Sequence, residues 1–303
     1  PSTGKIETNL VTDPYSLSLS MNSKRSQIVD LNDIDLKPQG WDSLQKPALA
    51  APEDIVIYEL HIRDFSIGDS TVPEELRGTY KAFTITTSNG MQHLIALAQA
   101  GLTHIHLLPA FDIASVNEDK STWQTVDEAK LKTYPPDSDQ QSIAISSITG
   151  TDGFNWGYDP LHYTTPDGSY ATDPNGTPRI VEFRQMVQAL NQNGLRVIMD
   201  VVYNHMGPSD LAGNILDYDG QEIYFYPVGN GYRETPWGPR LDYGRVEVRN
   251  FIRDNVRYWL HDFHVDGLRL DAVQAIFDQS ASHLLKDIQQ VAEKESAISG
   301  RLI

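Results

Sequence analysis

The chain has 303 residues, 40% of them hydrophobic and 21% charged, enough for one large domain with an appendage. It sets 24 Lys and Arg against 41 Asp and Glu, a formal charge of -17, and the basic residues are scattered; a phosphate backbone would be repelled, so no nucleic acid partner is expected. There is no cysteine, which excludes disulfides and thiolate metal sites, and no apolar run approaches the roughly 20 residues of a membrane span.

The opening PSTGKIETNL lacks a basic-then-apolar leader pattern, so it reads as a mature end or an internal cut. Residues 1–50 are rich in Ser, Asp, Asn and Pro, with β-like pieces at Tyr15–Ser20 and Gln27–Leu31. They read as the tail of a β-sandwich domain or a linker, ended by Pro47 and Pro52. From Asp54 strands and helices alternate. DIVIYELHIRDF (54–65) reads as a buried strand with polar residues gathered at its end. Residues 89–100 read as a helix with Met91, Leu94, Ile95 and Ala98 on one face, Asn89 as cap and Gly101 as stop. THIHLLPAF (103–111) is a second strand. Pro178, after a Thr177 cap, opens a helix with Phe183, Met186, Val187 and Leu190 on one side and Gly194 at its end. LRVIMDVVYNH (195–205) is a third strand. Val248, Phe251, Ile252, Val256, Trp259, Leu260 and Phe263 mark a helix, and VDGLRLDAV (265–273) a fourth strand. Leu284, Leu285, Ile288 and Val291 mark a last helix, and Arg301–Ile303 resembles the opening of a fifth strand.

Apolar strands alternating with amphipathic helices predict an α/β fold with a parallel sheet covered on both faces. A doubly wound sheet needs a Gly-rich turn after its first strand, and HIRDFSIGD has none of the right spacing. Two strand-to-helix connections are very long, about 111–177 and 205–245. Both follow strand C-termini, the end where a (β/α)8 TIM barrel builds its active site. Residues 51–303 are therefore expected to form the N-terminal half of such a barrel.

Three strings carry candidate chemistry. In GLRLDAV, Arg269 and Asp271 are two apart on a strand and share a face. A guanidinium beside a carboxylate favours the anion, which suits a nucleophile; a structural pair closing the barrel end is an equal alternative. In DVVYNH, Asp200 faces inward as a substrate contact or as a buried acceptor for Arg269. Asn204 and His205 stand where strand becomes loop, placed to bond hydroxyls or to stabilise developing charge. In FNWGYDP, Trp156 and Tyr158 could offer flat faces to a sugar ring and Asp159 acceptors to its hydroxyls; a turn pinned by a core Trp is the plainer alternative.

In this order and on these elements, the strings resemble the α-amylase family of glycoside hydrolases. DVVYNH is similar to its first signature region and GLRLDAV to its second. By that resemblance Asp271 is the nucleophile and Arg269 its partner. Asp200, Asn204 and His205 are structural and substrate-contacting members of the first region, and Tyr158 is the stacking tyrosine. Residues 10–205 are similar to bacterial pullulanases through DPYSLSLS, SQIVDLND, APEDIVIYELHIRDFS, NWGYDP and DGSYATDP. TPWGPRLDYGRVEVRNFIRDNVRYWLHDFHVDGLRLDAVQAI is more similar to malto-oligosyltrehalose trehalohydrolases and glycogen branching enzymes.

The resemblance implies double displacement with retention on an α-glucan (pullulan, starch or glycogen), with α-1,6 debranching foremost. Trehalose release and branching are the alternatives, and a non-catalytic glucan-binding or structural piece is a third. The mechanism needs a second carboxyl about 5–5.5 Å from the nucleophile, which the resemblance places on the fifth strand, beyond this chain; Glu293 and Glu295 lie on the outer helix. The chain alone is thus expected to be inactive and to want the other half of the barrel. No organic cofactor is implied. Calcium is allowed, since Asn204 matches a position that binds it in some members. The resemblance favours an extracellular or cell-surface location, with a cytoplasmic one allowed.

Overall fold

The computed structural model describes residues 11–207, 216, 224–226 and 234–299. In chain order, β1 (Ser18–Leu19) and β2 (Ser26–Gln27) form an antiparallel pair. After them come β3 (Ile57–Leu60), α1 (Ile62–Ser66), α2 (Asn89–Gln99), β4 (His104–Leu107), β5 (Phe111–Ile113), α3 (Glu128–Leu131), α4 (Gln140–Ser146), β6 (Pro160–Pro166) and α5 (Pro178–Gln192). The chain continues through β7 (Arg196–Val201), β8 (Glu234–Thr235), β9 (Gly238–Pro239), α6 (Val246–His261), β10 (Gly267–Leu270) and α7 (Leu284–Ser299). β3, β4, β7 and β10 make one parallel sheet in that order, each strand beside its predecessor. Strands of a parallel sheet need long crossovers, and α2, α5 and α6 lie in the three between these strands. Residues 301–303, expected to begin a further strand, lie outside the described residues.

The helices form where the apolar spacing predicts them. Phe183, Met186, Val187 and Leu190 of α5 and Val248, Phe251, Ile252, Val256, Trp259 and Leu260 of α6 are buried in one core. Full burial of an aliphatic side chain contributes about 1.5–3 kcal/mol, so each helix face is held by packing rather than by propensity. Pro178 occupies the first turn of α5, but Thr177 makes no side-chain cap bond. Ser88, not Asn89, caps α2: its Oγ accepts from Met91 N at 3.3 Å, which puts Asn89 inside the helix.

The segment 54–65 is not one buried strand. β3 spans four residues, and Ile55, Val56, Ile57 and Tyr58 are exposed, because β3 is an edge of the sheet with an open flank. His61 ends it by accepting from Asp64 N, which caps α1. The β-like piece at 27–31 likewise pairs only through Gln27. Residues 31–47 strap the helical layer to the sheet. Arg184 of α5 donates to the carbonyls of Leu31 and Leu36, and Lys46 pairs with the buried Asp266 at 3.0 Å.

The connection from 111 to 177 is ordered rather than a bare loop. β5 and β6 form an antiparallel ribbon with Asp112 opposite His162. A buried charge network ties it to α5. Arg179 reaches Asp112 at 3.4 Å and Glu118 at 3.0 Å, and His162 Nδ1 lies 2.7 Å from Asp112. Asp112, Glu118 and Asp167 present oxygens within 4.8 Å of one another. Burial, with Asp112 nearby, pushes Glu118 up to about 8 and Asp167 up to about 6. For carboxyls raised in this way the folded state holds the proton, so stability is greatest below the ordinary carboxylate range. It is lost as pH rises through about 6 and about 8. Arg179→Leu removes the cation that limits this loss and should destabilise by about 3–5 kcal/mol at pH 7.5. The loss should be clearly smaller at pH 5, where fewer carboxylates need balancing; urea unfolding at the two pH values reads the difference.

Candidate active site

The site is built on the ends of β7 and β10. These strands pair with Arg269 opposite Asp200, and the ladder continues one residue further, Asp271 N donating to the Val201 carbonyl at 2.9 Å. Because side chains two apart share a face, Arg269 reaches sideways and upward at once. Its Nη1 lies 3.0 and 2.9 Å from the two oxygens of Asp200 and 2.9 Å from Asp271 Oδ1. Burial alone would lower the basicity of Arg269, but the Asp200 carboxylate outweighs it and the guanidinium is held above its ordinary range.

The two carboxylates sharing this cation differ in access. The Asp200 side chain is 0% exposed, that of Asp271 20% and that of Arg269 44%. Asp200 also accepts from the Tyr158 hydroxyl at 2.8 Å. Its geometry is that of the buried-acceptor alternative, whereas Asp271 remains open at the rim. Asn204 closes the other side of Asp271, its Nδ2 donating to the backbone oxygen at 3.0 Å and to Oδ2 at 3.3 Å. The carboxylate that faces the opening is therefore fixed on both flanks.

His205 is buried behind Asn204. Its Nε2 donates to the Tyr158 carbonyl at 2.9 Å, its Nδ1 meets Asn204 Oδ1, and burial lowers its basicity. Tyr158 thus meets the site through both ends, the hydroxyl on Asp200 and the carbonyl on His205. Burial and the Asp200 charge push its hydroxyl well above the ordinary tyrosine range, keeping it a donor. The turn that delivers it depends on Gly157, at φ +90°, where an added Cβ would lie 2.9 Å from Pro109 Cβ and 3.0 Å from its carbonyl oxygen.

Six of the eight candidate residues are joined in one bonded set: Asp271, Arg269, Asp200, Asn204, His205 and Tyr158. Two are not. Trp156 stands 64% exposed on the loop surface. Asp159 turns toward the neighbouring loop, where its Oδ2 accepts from Ser115 N at 2.9 Å, and Oδ1 is buried without a hydrogen-bond partner. Burial raises its pKa. Three residues missed in the sequence also belong here. His61 holds the Tyr158 loop through the Asn155 carbonyl at 2.8 Å, Trp237 lies with its ring 5.7 Å from that of His205, and His106 lies beside Asp200. The alternation Glu59/His61 and His104/His106 on the first two strands was the available signal for the histidines. Trp237 had none beyond TPWGP.

Both ends of the Asn204 amide are committed, Nδ2 to Asp271 and Oδ1 to His205. Among the described residues, the grouping of three acidic ligands is the buried Asp112, Glu118 and Asp167, two of which, Asp112 and Glu118, pair with Arg179.

No protein-family profile matches the chain. Among curated proteins it is 41% identical to the chloroplastic pullulanase 1 of Arabidopsis thaliana over 309 residues, covering 100% of this chain and 32% of that protein. It is 32% identical to malto-oligosyltrehalose trehalohydrolase of Saccharolobus solfataricus over 261 residues, covering 85% of this chain and 34% of the other. The chain thus spans about a third of the length of these relatives. The crystal structure of apo pullulanase from Klebsiella pneumoniae superposes with a TM-score of 0.88 at 37% identity, covering 99% of this chain and 36% of that one. The same pullulanase complexed with maltotriose superposes with a TM-score of 0.86, covering 99% and 32%. With a mixed α/β fold, a parallel sheet and pullulanases as its relatives in both sequence and structure, the chain belongs to the α-amylase family of glycoside hydrolases.

Proposed function

We propose that this chain supplies the nucleophile side of a retaining hydrolase that cleaves α-1,6 links in α-glucans. The observation that carries the reading is Asp271, open at the end of β10 and held as an acceptor by Arg269 and Asn204. The sheet order β3-β4-β7-β10 supports reading residues 51–303 as the first half of a (β/α)8 barrel, with these strand ends at the catalytic rim. The maltotriose bound by the similar Klebsiella pneumoniae pullulanase supports an α-glucan substrate here.

In the proposed reaction an Asp271 oxygen attacks the anomeric carbon as the glycosidic C–O bond breaks, forming a glycosyl ester. Water then displaces the carboxylate and restores the original configuration. Arg269 orients Asp271 and disperses its charge, and Asn204 fixes its second oxygen. Tyr158 and His205 lock the loop that would present a flat ring to the sugar. Leaving-group protonation needs another carboxyl. Asp200 is a poor donor, since it accepts from Arg269 and Tyr158, and Glu295 is bound to His261 and Arg257 behind the sheet. As the family resemblance implies, we assign that step to a group outside these 303 residues.

The 32% identity to a trehalohydrolase supports a second reading, release of trehalose by the same Asp271 chemistry. Product analysis on pullulan against a maltooligosyl trehalose separates the two.

In the complete protein, Asp271→Asn keeps the shape but cannot form the ester. It should abolish turnover while leaving glucan affinity near wild type, with the loss in kcat rather than KM; normal turnover would refute the assignment. The 303-residue chain by itself should release no reducing sugar from pullulan, and detectable release would overturn the assignment of the acid to a group outside it. Tyr158→Ala should weaken glucan binding by about 1–3 kcal/mol, the scale of stacking on an aromatic ring. Tyr158→Phe keeps the ring and should bind normally while losing about 1.5–3 kcal/mol of stability with the bond to Asp200. Paired calorimetry and binding isotherms distinguish stacking from anchoring.

A further inference from the structure

The charged row that ends at Asp271 does not begin at Asp200. On the same inner face, β3 and β4 pair with Glu59 opposite His106. The His106 side chain is 9% exposed, and each ring nitrogen faces a carboxylate: Nδ1 lies 3.2 Å from Glu59 Oε2 and Nε2 lies 3.3 Å from Asp200 Oδ2. Nε2 is close enough for an ion pair yet forms no hydrogen bond of acceptable geometry, and it is a buried nitrogen without a hydrogen-bond partner.

A neutral imidazole carries one N–H. Between two carboxylates it can donate to one and must turn a lone pair toward the other. The doubly protonated ring presents an N–H, and its positive charge, to both. That state also completes an alternation across four strands, in which Glu59, Asp200 and Asp271 are the anions and His106 and Arg269 the cations between them. Without charge on His106, the single guanidinium of Arg269 must balance both Asp200 and Asp271. Among the described residues, the groups facing His106 are Glu59 from β3 and Asp200 from β7, with Arg269 and Tyr158 on the far side of Asp200. His104, next on the same face of β4, is hydrogen-bonded to Thr103 and feels Asp266 and Arg196.

We propose that His106 is a positioning residue for glycosidic cleavage. In its doubly protonated form it bridges Glu59 and Asp200, neutralises Asp200 from the β4 side, and leaves Arg269 committed to Asp271. This rests on the reading of Asp271 as nucleophile. His106 acts through Asp200 and Arg269 and touches no substrate. The working state is the one with both ring nitrogens protonated, since only that form presents an N–H to each carboxylate.

The test uses the complete protein, with pullulan cleavage followed against pH for wild type, His106→Gln and Asp271→Asn. Gln fills the site and donates from one end only. We expect kcat to fall by about 10–100-fold, the scale seen when a residue orienting a functional group is removed, with KM within about twofold. The alkaline descent of wild-type kcat should move to higher pH in His106→Gln. Wild-type kcat in His106→Gln, or an unchanged alkaline limb, would overturn the proposal. A second arm needs no turnover: ring ¹⁵N spectra of histidine-labelled protein, with His106 identified by the signal missing in His106→Gln. Two protonated nitrogens at the pH of greatest activity, or at pH 6 should no activity be found, support the bridge; a single neutral tautomer there overturns it. Turnover surviving in Asp271→Asn would sink the proposed function instead, leaving the spectra to decide the bridge.

Discussion

One guanidinium holds this structure's business end together. Arg269 stands between Asp200, sealed from solvent, and Asp271, open at the rim, and bonds both. An isolated buried carboxylate costs several kcal/mol, and it is tolerated only when paired and hydrogen-bonded. Asp200 meets that condition through Arg269 and Tyr158 together. The requirement works in both directions. Satisfying Asp200 fixes where Arg269 can be, and that fixes where the neighbouring carboxylate of Asp271 must lie.

The same logic recurs one layer out. The β5–β6 ribbon carries the chain out from β4 and back to α5, and Arg179 pins its carboxylates. The loop bearing Tyr158 leads directly into β6, so the aromatic ring is set by a ribbon anchored to the body of the fold. Gly157 lets the backbone pass against Pro109, and His61 clamps Asn155 just before it. A rim residue built in this way is positioned by packing and ion pairs at some distance from the chemistry it serves.

Much of the site was legible in the sequence because its geometry is local. Arg269 and Asp271 are two residues apart on a strand, and that spacing alone places them on one face. Asp200, Asn204 and His205 lie on one strand and the bend after it, and were readable for the same reason. The bond from Tyr158 to Asp200 joins residues far apart in the chain, and no periodicity encodes it. The bond from Ser115 to Asp159 is likewise long-range, and no spacing in FNWGYDP encodes it. The apolar run 54–58 suggested burial, since composition reports what a strand can pack against and not whether it lies at an edge. Ser88 and Asn89 are both good caps, and the backbone path decided between them.

The strand order has a consequence for how the chain is made. Each strand of the parallel sheet pairs with the one before it, in the sequence β3, β4, β7, β10. Among these four strands, every pairing partner has therefore already been synthesised when the next one emerges. Chains grow at about 5–20 residues per second, whereas hairpin and helix formation take microseconds. The sheet can thus enlarge by addition at a single advancing edge while translation proceeds. Arg269, on the last of these four strands, pairs with an Asp200 carboxylate on a strand synthesised before its own.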